Sequence, residues 1–142
     1  MGSKKTDKFR KNHDTLFQLL ENLKLYLEAD RVAKEAKDAC RVVGKIAGLL
    51  IMNMAHEDKI LFPELLGSGN KQVKDAAEKF ATETKSVRKM ADKFMSKWVV
   101  IKNVQAQPVD FIKDANMLIA SLSESLEKKN TQFYDLVDKH AA

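Results

Sequence analysis

The sequence predicts an all-α fold, an up-down-up-down antiparallel four-helix bundle. Apolar residues recur every three or four positions along four long segments, which is the repeat of a helix with one buried face. Turn-forming residues separate the segments, and such short connections make sequential helices antiparallel neighbours. The 142 residues include only five Gly and two Pro, a composition that favours helix.

The segment boundaries follow from stop signals. Gly67-Ser68-Gly69-Asn70 is a helix stop followed by a turn, and Pro108 suits the first turn of a helix. The predicted breaks lie at 28–31, 67–70 and 103–107. The predicted helices span residues 5–28, 32–66, 70–99 and 108–139. We therefore expect one domain at residues 5–140, preceded by a disordered tail at residues 1–4.

Each segment carries an inward stripe that is mostly apolar. The first reads Phe9, His13, Leu16, Leu20, Leu23 and Leu27, and the second Ile46, Leu50, Asn53, Glu57 and Ile60. The third reads Val73, Ala77, Phe80, Thr84, Val87, Ala91, Phe94 and Trp98, and the fourth Phe111, Ala115, Leu118, Leu122, Ser125, Lys129, Phe133 and Leu136. Trp98, with Phe94 and Phe111, is predicted to seal one end of the bundle. Gly44 and Gly48 lie beside the second stripe and would let another helix approach closely.

Six polar side chains interrupt these stripes: His13, Asn53, Glu57, Thr84, Ser125 and Lys129. Two pairs, Asn53 with Glu57 and Ser125 with Lys129, are four residues apart, so each pair lies on one helix face about 6 Å apart along the axis. Antiparallel packing puts the start of the first helix beside the end of the second. The sequence therefore predicts one polar level across the core, which is where helical bundles bind metals.

Charge and apolar run length exclude several functional classes. The formal net charge is +5, but the basic side chains are scattered and often lie near acids at helical spacing, as in Glu124 and Lys128. The sequence has no Gly-rich loop, zinc-finger spacing or interleaved basic and aromatic residues, so we expect no nucleic-acid partner. The longest apolar stretch, residues 42–55, carries Lys45 and Asn53 and is too short to cross a bilayer, so we expect no membrane association.

Cysteine and histidine usage limits the chemistry further. The single cysteine, Cys40, excludes an internal disulfide and fits a reducing compartment, so we expect a soluble, cytoplasmic protein. Cys40 lies on an apolar helix face and is predicted to be a packed thiol. Residues 1–11 are polar and basic, unlike a signal peptide. No arrangement of nucleophile, base and orienting group is recognisable, so we expect no enzyme.

Four stretches match the helices of a known family. Residues 10–23, RKNHDTLFQLLENL, place a His before an apolar stripe. Residues 53–66, NMAHEDKILFPELL, carry a Glu, then an acid and Leu-Phe-Pro; residues 83–94, ETKSVRKMADKF, and 125–137, SLEKKNTQFYDLV, match two further helices. Together they resemble the hemerythrin-like, or HHE cation-binding, family over nearly the whole chain. The resemblance implies a bundle whose His and carboxylate ligands hold two bridged irons, used to bind or sense dioxygen, nitric oxide or iron.

The same resemblance implies a damaged metal site. His13 matches the family's first histidine, and Glu57 matches the bridging glutamate of the second helix. The remaining four ligand positions hold Asn53, Thr84 and Ser125 in place of histidines and Lys129 in place of a second glutamate. Iron in such bundles needs imidazoles and anionic carboxylates, whereas an ammonium repels a metal cation.

We hypothesise that Lys129 and Glu57 form a buried ion pair at this level, because a Lys among apolar neighbours needs an acid or a route to water. Hydrogen bonds to the pair are expected from His13, Asn53, Thr84 and Ser125. Two alternatives stay open. Thr84 and Ser125 could instead bond to their own helix backbone, and Lys129 could lie on the rim beside Lys128.

Three functions follow from this reading. The leading hypothesis is a non-enzymatic hemerythrin-like domain without a cofactor, acting as a structural, partner-binding or signalling module, as a monomer or weak homodimer. The alternative is a protein that binds iron or zinc through His13, Glu57 and His56, where His56 lies about 100° around the helix from Glu57. The third is the binding of a small organic ligand in the space left by the missing imidazoles, although protein interiors seldom keep voids of that size.

Overall fold

The computed structural model describes residues 5–140. The predicted disordered tail, residues 1–4, lies outside the described residues. The helices are α1 (Asp7–Lys24), α2 (Ala29–Lys34), α3 (Ala36–His56), α4 (Phe62–Leu66), α5 (Lys71–Trp98), α6 (Ile101–Ala106), α7 (Pro108–Lys128) and α8 (Tyr134–His140).

Four columns of helix form the bundle. They are α1, α3 with α4, α5, and α7 with α8, and neighbouring columns pack as α1 on α3, α3 on α5, α5 on α7 and α7 on α1. This arrangement and the absence of strands from residues 5–140 confirm the predicted all-α bundle. The start of α5 lies one residue from the predicted start, and Asn70 caps it: its side-chain Oδ1 accepts a hydrogen bond from the backbone N–H of Val73 at 3.1 Å.

The two connections at the Trp98 end are helical, which the sequence reading did not predict. The predicted break at 28–31 overlaps α2, and the break at 103–107 overlaps α6. The chain leaves the long helices earlier, after Lys24 and after Trp98. Val32 of α2 and Val104 of α6 are fully buried, and α2 packs on α6 and α7. Burial of these two side chains against the bundle end outweighs the polar composition of the connections.

Two of the columns contain a π-helical turn, at Glu57–Leu61 and at Lys129–Phe133. A π turn inserts one extra residue relative to an α-helix and therefore rotates the residues that follow it. Ile60 was predicted to face inward but is 59% exposed, whereas Leu61 is 1% exposed. Leu136 is likewise half-buried, and Val137 takes the inward position. The stripe prediction was wrong at Ile60 and shifted by one residue at Leu136.

The bundle interior consists of two apolar clusters. The larger contains Leu16, Leu50, Leu126 and Trp98, and the smaller contains Phe9, Leu61, Phe80 and Phe133. The predicted seal is present, since Phe111 packs against Phe94 and, edge to face, against Trp98. Cys40 is buried beside it and donates to the Trp98 carbonyl at 3.4 Å, so the packed thiol is confirmed. Burial raises the pKa of that thiol.

Gly44 and Gly48 do not serve the packing that was predicted for them. Both lie on the solvent face of α3, and a Cβ at either position would meet no described atom within 4 Å apart from its chain neighbours and the adjacent backbone of α3. The inward face of α3 is formed instead by residues such as Val43 and Ile46, which are fully buried. In residues 5–140, no helix is long and apolar enough to cross a membrane.

Candidate functional site: a polar level in the bundle core

The polar level lies between the two apolar clusters. In every column the polar residue falls between members of the two clusters along the chain: His13 between Phe9 and Leu16, Glu57 between Leu50 and Leu61, Thr84 between Phe80 and Ala91, and Lys129 between Leu126 and Phe133. His13, Asn53, Glu57, Thr84 and Lys129 are all buried. Five of the six predicted positions are therefore buried at one level, which divides the core.

An ion pair between facing columns forms the centre of this level. Lys129 Nζ lies 2.9 Å from Glu57 Oε1, and the two side chains are 3% and 0% exposed. The hypothesised pair is present, and the alternative that placed Lys129 on the rim was wrong. Both residues begin a π turn, so each helix widens at the residue whose charge it carries inward. Such turns are frequent at functional positions in helices.

Tyr134 completes the coordination of Glu57, and sequence reasoning missed it. Its hydroxyl donates to Glu57 Oε2 at 2.9 Å, so each carboxylate oxygen has one donor. Burial and then the negative charge of Glu57 raise the pKa of Tyr134, while a hydrogen bond from Asn53 acts the other way. The available signal was the pair Phe133-Tyr134 one turn beyond Lys129. An ideal α-helix directs only the first of these inward, whereas the π turn buries both.

His13 has a polar neighbour at each ring nitrogen. Nδ1 lies 2.8 Å from Asn130 Oδ1, an amide oxygen that accepts, so Nδ1 carries the proton in this arrangement. The lone pair of Nε2 then faces the Tyr134 hydroxyl at 3.4 Å. Burial, followed by the positive charge of Lys129, lowers the pKa of His13 from 6.5 to about 4. At neutral pH the imidazole is uncharged, which suits a position beside an ammonium.

The three neutral positions behave differently from one another. Asn53 is buried, and its Oδ1 accepts from Asn12 at 3.0 Å. Thr84 is buried, yet its hydroxyl has no hydrogen-bond partner within residues 5–140. Ser125 is only half-buried, because the neighbouring Leu126 takes the inward position. The prediction that Thr84 would donate to the cluster or to its own backbone was wrong, and no hydrogen bond joins Ser125 to the described cluster.

His56, the third residue of the alternative metal set, is half-buried on the turn before Glu57. Among residues 5–140, no hydrogen bond or ion pair joins the His56 side chain to His13 or Glu57. Within the described ranges, no group of three or more His, Cys, Asp or Glu side chains is arranged to hold a metal. His13 Nε2 and the Glu57 carboxylate are groups of the kind that bind iron or zinc. The Lys129 ammonium, however, already contacts the Glu57 carboxylate.

Two surface grooves flank the bundle. One of about 320 Å³ lies between α5 and α7 over Phe94 and Leu118, and one of about 530 Å³ lies between α3 and α5 beside Ile51 and Arg88. Neither is lined by any of the six polar-level positions. At the level itself, Lys129 and Tyr134 fill the interior.

An antiparallel four-helix bundle with a polar level of acid and imidazole side chains is the architecture of metal-binding helical bundles. The chain matches the family model of the hemerythrin HHE cation binding domain over residues 4–137, and it therefore belongs to that family. No curated protein matches the chain significantly, and no solved structure does.

Proposed function

We propose that this chain is a hemerythrin-family domain in which a side-chain cation takes the place of the metal ions, and that it works as a non-catalytic structural, partner-binding or signalling module. The observation that carries the proposal is the buried contact of 2.9 Å between Lys129 and Glu57. A domain of this kind would act through its surface, with a protein partner, rather than through chemistry in its core.

Charge balance supports the proposal. A divalent cation at Glu57 would lie within a few ångströms of the Lys129 ammonium, and like charges at such separations repel by several kcal/mol in a protein interior. The ammonium already neutralises the carboxylate, and the Tyr134 hydroxyl occupies its second oxygen. A metal would have to displace both partners and would gain few ligands in return.

The alternative, a site that takes iron or zinc through His13, Glu57 and His56, has one observation in its favour. The lone pair of His13 Nε2 faces the interior, with Asn130 holding the opposite ring nitrogen, as in many metal-bound histidines. It requires that His56 turn inward and that Lys129 withdraw. No observation favours the third function, a ligand in the core.

Metal content decides between the two. Protein purified after growth with iron and zinc is expected to hold far less than one metal per chain by inductively coupled plasma mass spectrometry, with no absorption band of oxo-bridged iron. A stoichiometric metal content that falls when Glu57 is replaced by Gln would overturn the proposal and support the alternative.

A gain-of-function variant tests the ligand positions themselves. Asn53→His, Thr84→His, Ser125→His and Lys129→Glu together are expected to restore iron uptake. The matched control carries the three histidines but keeps Lys129, and it is expected to stay without iron because the ammonium remains. A well-folded quadruple variant that takes up no iron would show that these are not the family's ligand positions in this chain.

A further inference from the structure

The solvent face of α3 is unusually poor in charge. Its exposed positions between 44 and 55 are Gly44, Lys45, Gly48, Ile51, Met52 and Ala55, which we call the α3 strip. Ile51 is 56% exposed and Met52 is 42% exposed. Charged residues make up 32% of the chain, and a helix face in contact with water normally carries them on every turn. Beyond Lys45 the strip carries no charge for three turns, until Asp58.

The strip also has room for another backbone. A Cβ at Gly44 or Gly48 would meet no described atom within 4 Å apart from its chain neighbours and the adjacent backbone of α3. The distance between packed helix axes depends on the side chains at the contact, and small ones allow the closest approach. The spacing of Gly44 and Gly48 predicted a neighbouring helix, and within residues 5–140 no helix occupies that position.

We infer that the α3 strip binds a second copy of this chain, with the two α3 helices antiparallel about a two-fold axis that passes beside Ile51 and Met52. In such an isologous contact each pairing occurs twice. Gly48 lies opposite the partner's Ala55, so the small residues face each other on both sides of the axis. Ile51 lies opposite the partner's Met52, and the exposed apolar side chains cover one another.

Charge complementarity selects this occupant and this orientation. Lys45 lies about 10 Å along the helix from the axis, the same distance as Asp58 on the other side. Antiparallel pairing therefore puts Lys45 opposite the partner's Asp58. Lys45 and Asp92 have no ion-pair partner among the described residues, and Asp92 lines the same groove as Asp58. Asp58 contacts Arg88 through Oδ2 at 2.8 Å, which leaves Oδ1 for the incoming lysine.

Lys59, the cation next to Asp58, does not oppose the pairing. Lys59 lies opposite the partner's Gly44, where no side chain blocks its stem, and its ammonium can extend past the helix into water. Parallel pairing would instead bring Lys45 against Lys45 and Asp58 against Asp58. A strip one helix wide buries less than the roughly 1,200 Å² of a standard complex, so the dimer is expected to be weak.

The inference concerns the surface and is independent of what the core binds. Sedimentation equilibrium from micromolar to near-millimolar protein is expected to show a monomer–dimer equilibrium for the natural chain. Ile51→Lys, which places a charge beside the axis, is expected to weaken the dimer at least about tenfold. The matched control is Val109→Lys, an exposed valine (67%) on α7, which is expected to leave the equilibrium unchanged.

A mixing experiment tests the register. Lys45→Glu alone and Asp58→Lys alone each create two like-charge contacts in their own homodimers, so each is expected to be more monomeric than the natural chain. An equimolar mixture of the two restores both opposite-charge contacts and is expected to form a heterodimer. A natural chain that stays monomeric at near-millimolar concentration, an Ile51→Lys variant that still dimerises, or a mixture that does not associate would each overturn the inference.

Discussion

Replacing Glu57 with Gln removes one charge from the polar level and almost no volume. Lys129 then keeps a neutral acceptor where it had a carboxylate at 2.9 Å, in a position where it is 3% exposed. Breaking a buried ion pair on one side costs about 3–5 kcal/mol, because the remaining charge has neither water nor a counter-charge. The amide oxygen still accepts from Tyr134 or Lys129, so we expect the lower end, about 3 kcal/mol. Against a typical total of about 5–15 kcal/mol, that loss is large.

The converse variant and the double variant separate charge from packing. Lys129→Met leaves the carboxylate buried with only the Tyr134 hydroxyl, and it is expected to cost a similar amount. The double variant Glu57→Gln with Lys129→Met has no buried charge. It should cost much less than the two single losses together, giving a coupling free energy of roughly 2–3 kcal/mol.

Lys128→Met is the matched control, because Lys128 is adjacent in sequence but pairs with Glu124 at 3.5 Å on the surface. It is expected to change the free energy of unfolding by less than about 0.5 kcal/mol. The assay is equilibrium unfolding in urea at neutral pH, followed by far-ultraviolet circular dichroism and by the fluorescence of Trp98. Single variants that each cost under about 1 kcal/mol, or a double variant whose cost equals their sum, would refute the reasoning.

Two further predictions concern the same level. His13 has a pKa of about 4 in the folded chain against 6.5 when unfolded, so the unfolded chain binds the proton first as the pH falls. Its contribution to the free energy of unfolding is complete above pH 6.5 and is lost as the pH falls towards 4, by about 2 kcal/mol between pH 7 and pH 5. His13→Gln should remove that part of the pH dependence of urea unfolding. An unchanged dependence of the unfolding free energy on pH would contradict the lowered pKa of His13. Thr84→Val should raise the free energy of unfolding by about 1 kcal/mol, because it replaces a buried hydroxyl that has no partner in the described chain. The control is Thr82→Val, because the Thr82 hydroxyl is exposed and donates to the Glu78 carbonyl. A destabilised Thr84→Val variant would contradict the prediction.

The sequence predicted best where the helices are regular. The stripe of α5 is buried at Val73, Phe80, Thr84 and Phe94, as a step of three and four residues requires. Ile60 in the second column was misplaced because the stripe was extended at α-helical spacing through a π turn. The helical spacing of apolar residues does not reveal such a turn, because a π turn is rare and shifts the positions after it by only one residue.

The polar level shows the same division between pattern and packing. The partner of Lys129 was predicted from the stripe positions, the family resemblance and the need of a buried ammonium for a carboxylate. The roles of Tyr134 and Asn130 did not follow, because both lie one residue away from the predicted stripe and turn inward only through the π turn. The prediction that Ser125 faces the core was wrong for the converse reason. Burial of the neighbouring Leu126 side chain is more favourable, so Leu126 takes the inward position.

The partners of Glu57 connect the family membership to the proposed function. A carboxylate buried at the centre of a bundle requires a positive charge nearby, whatever the source of that charge. In an iron-binding bundle the charge arrives from solution and can leave again, so the folded state depends on metal supply. Lys129, at the start of the π turn after α7, provides it covalently, with Nζ 2.9 Å from Glu57 Oε1. Under the proposed function, the stability of the core is expected not to vary with metal concentration, whereas an iron-binding bundle gains stability as the metal rises above its dissociation constant. A chelator should therefore leave the unfolding curve of this chain unchanged, whereas it would shift the curve to lower urea if a metal held the core together.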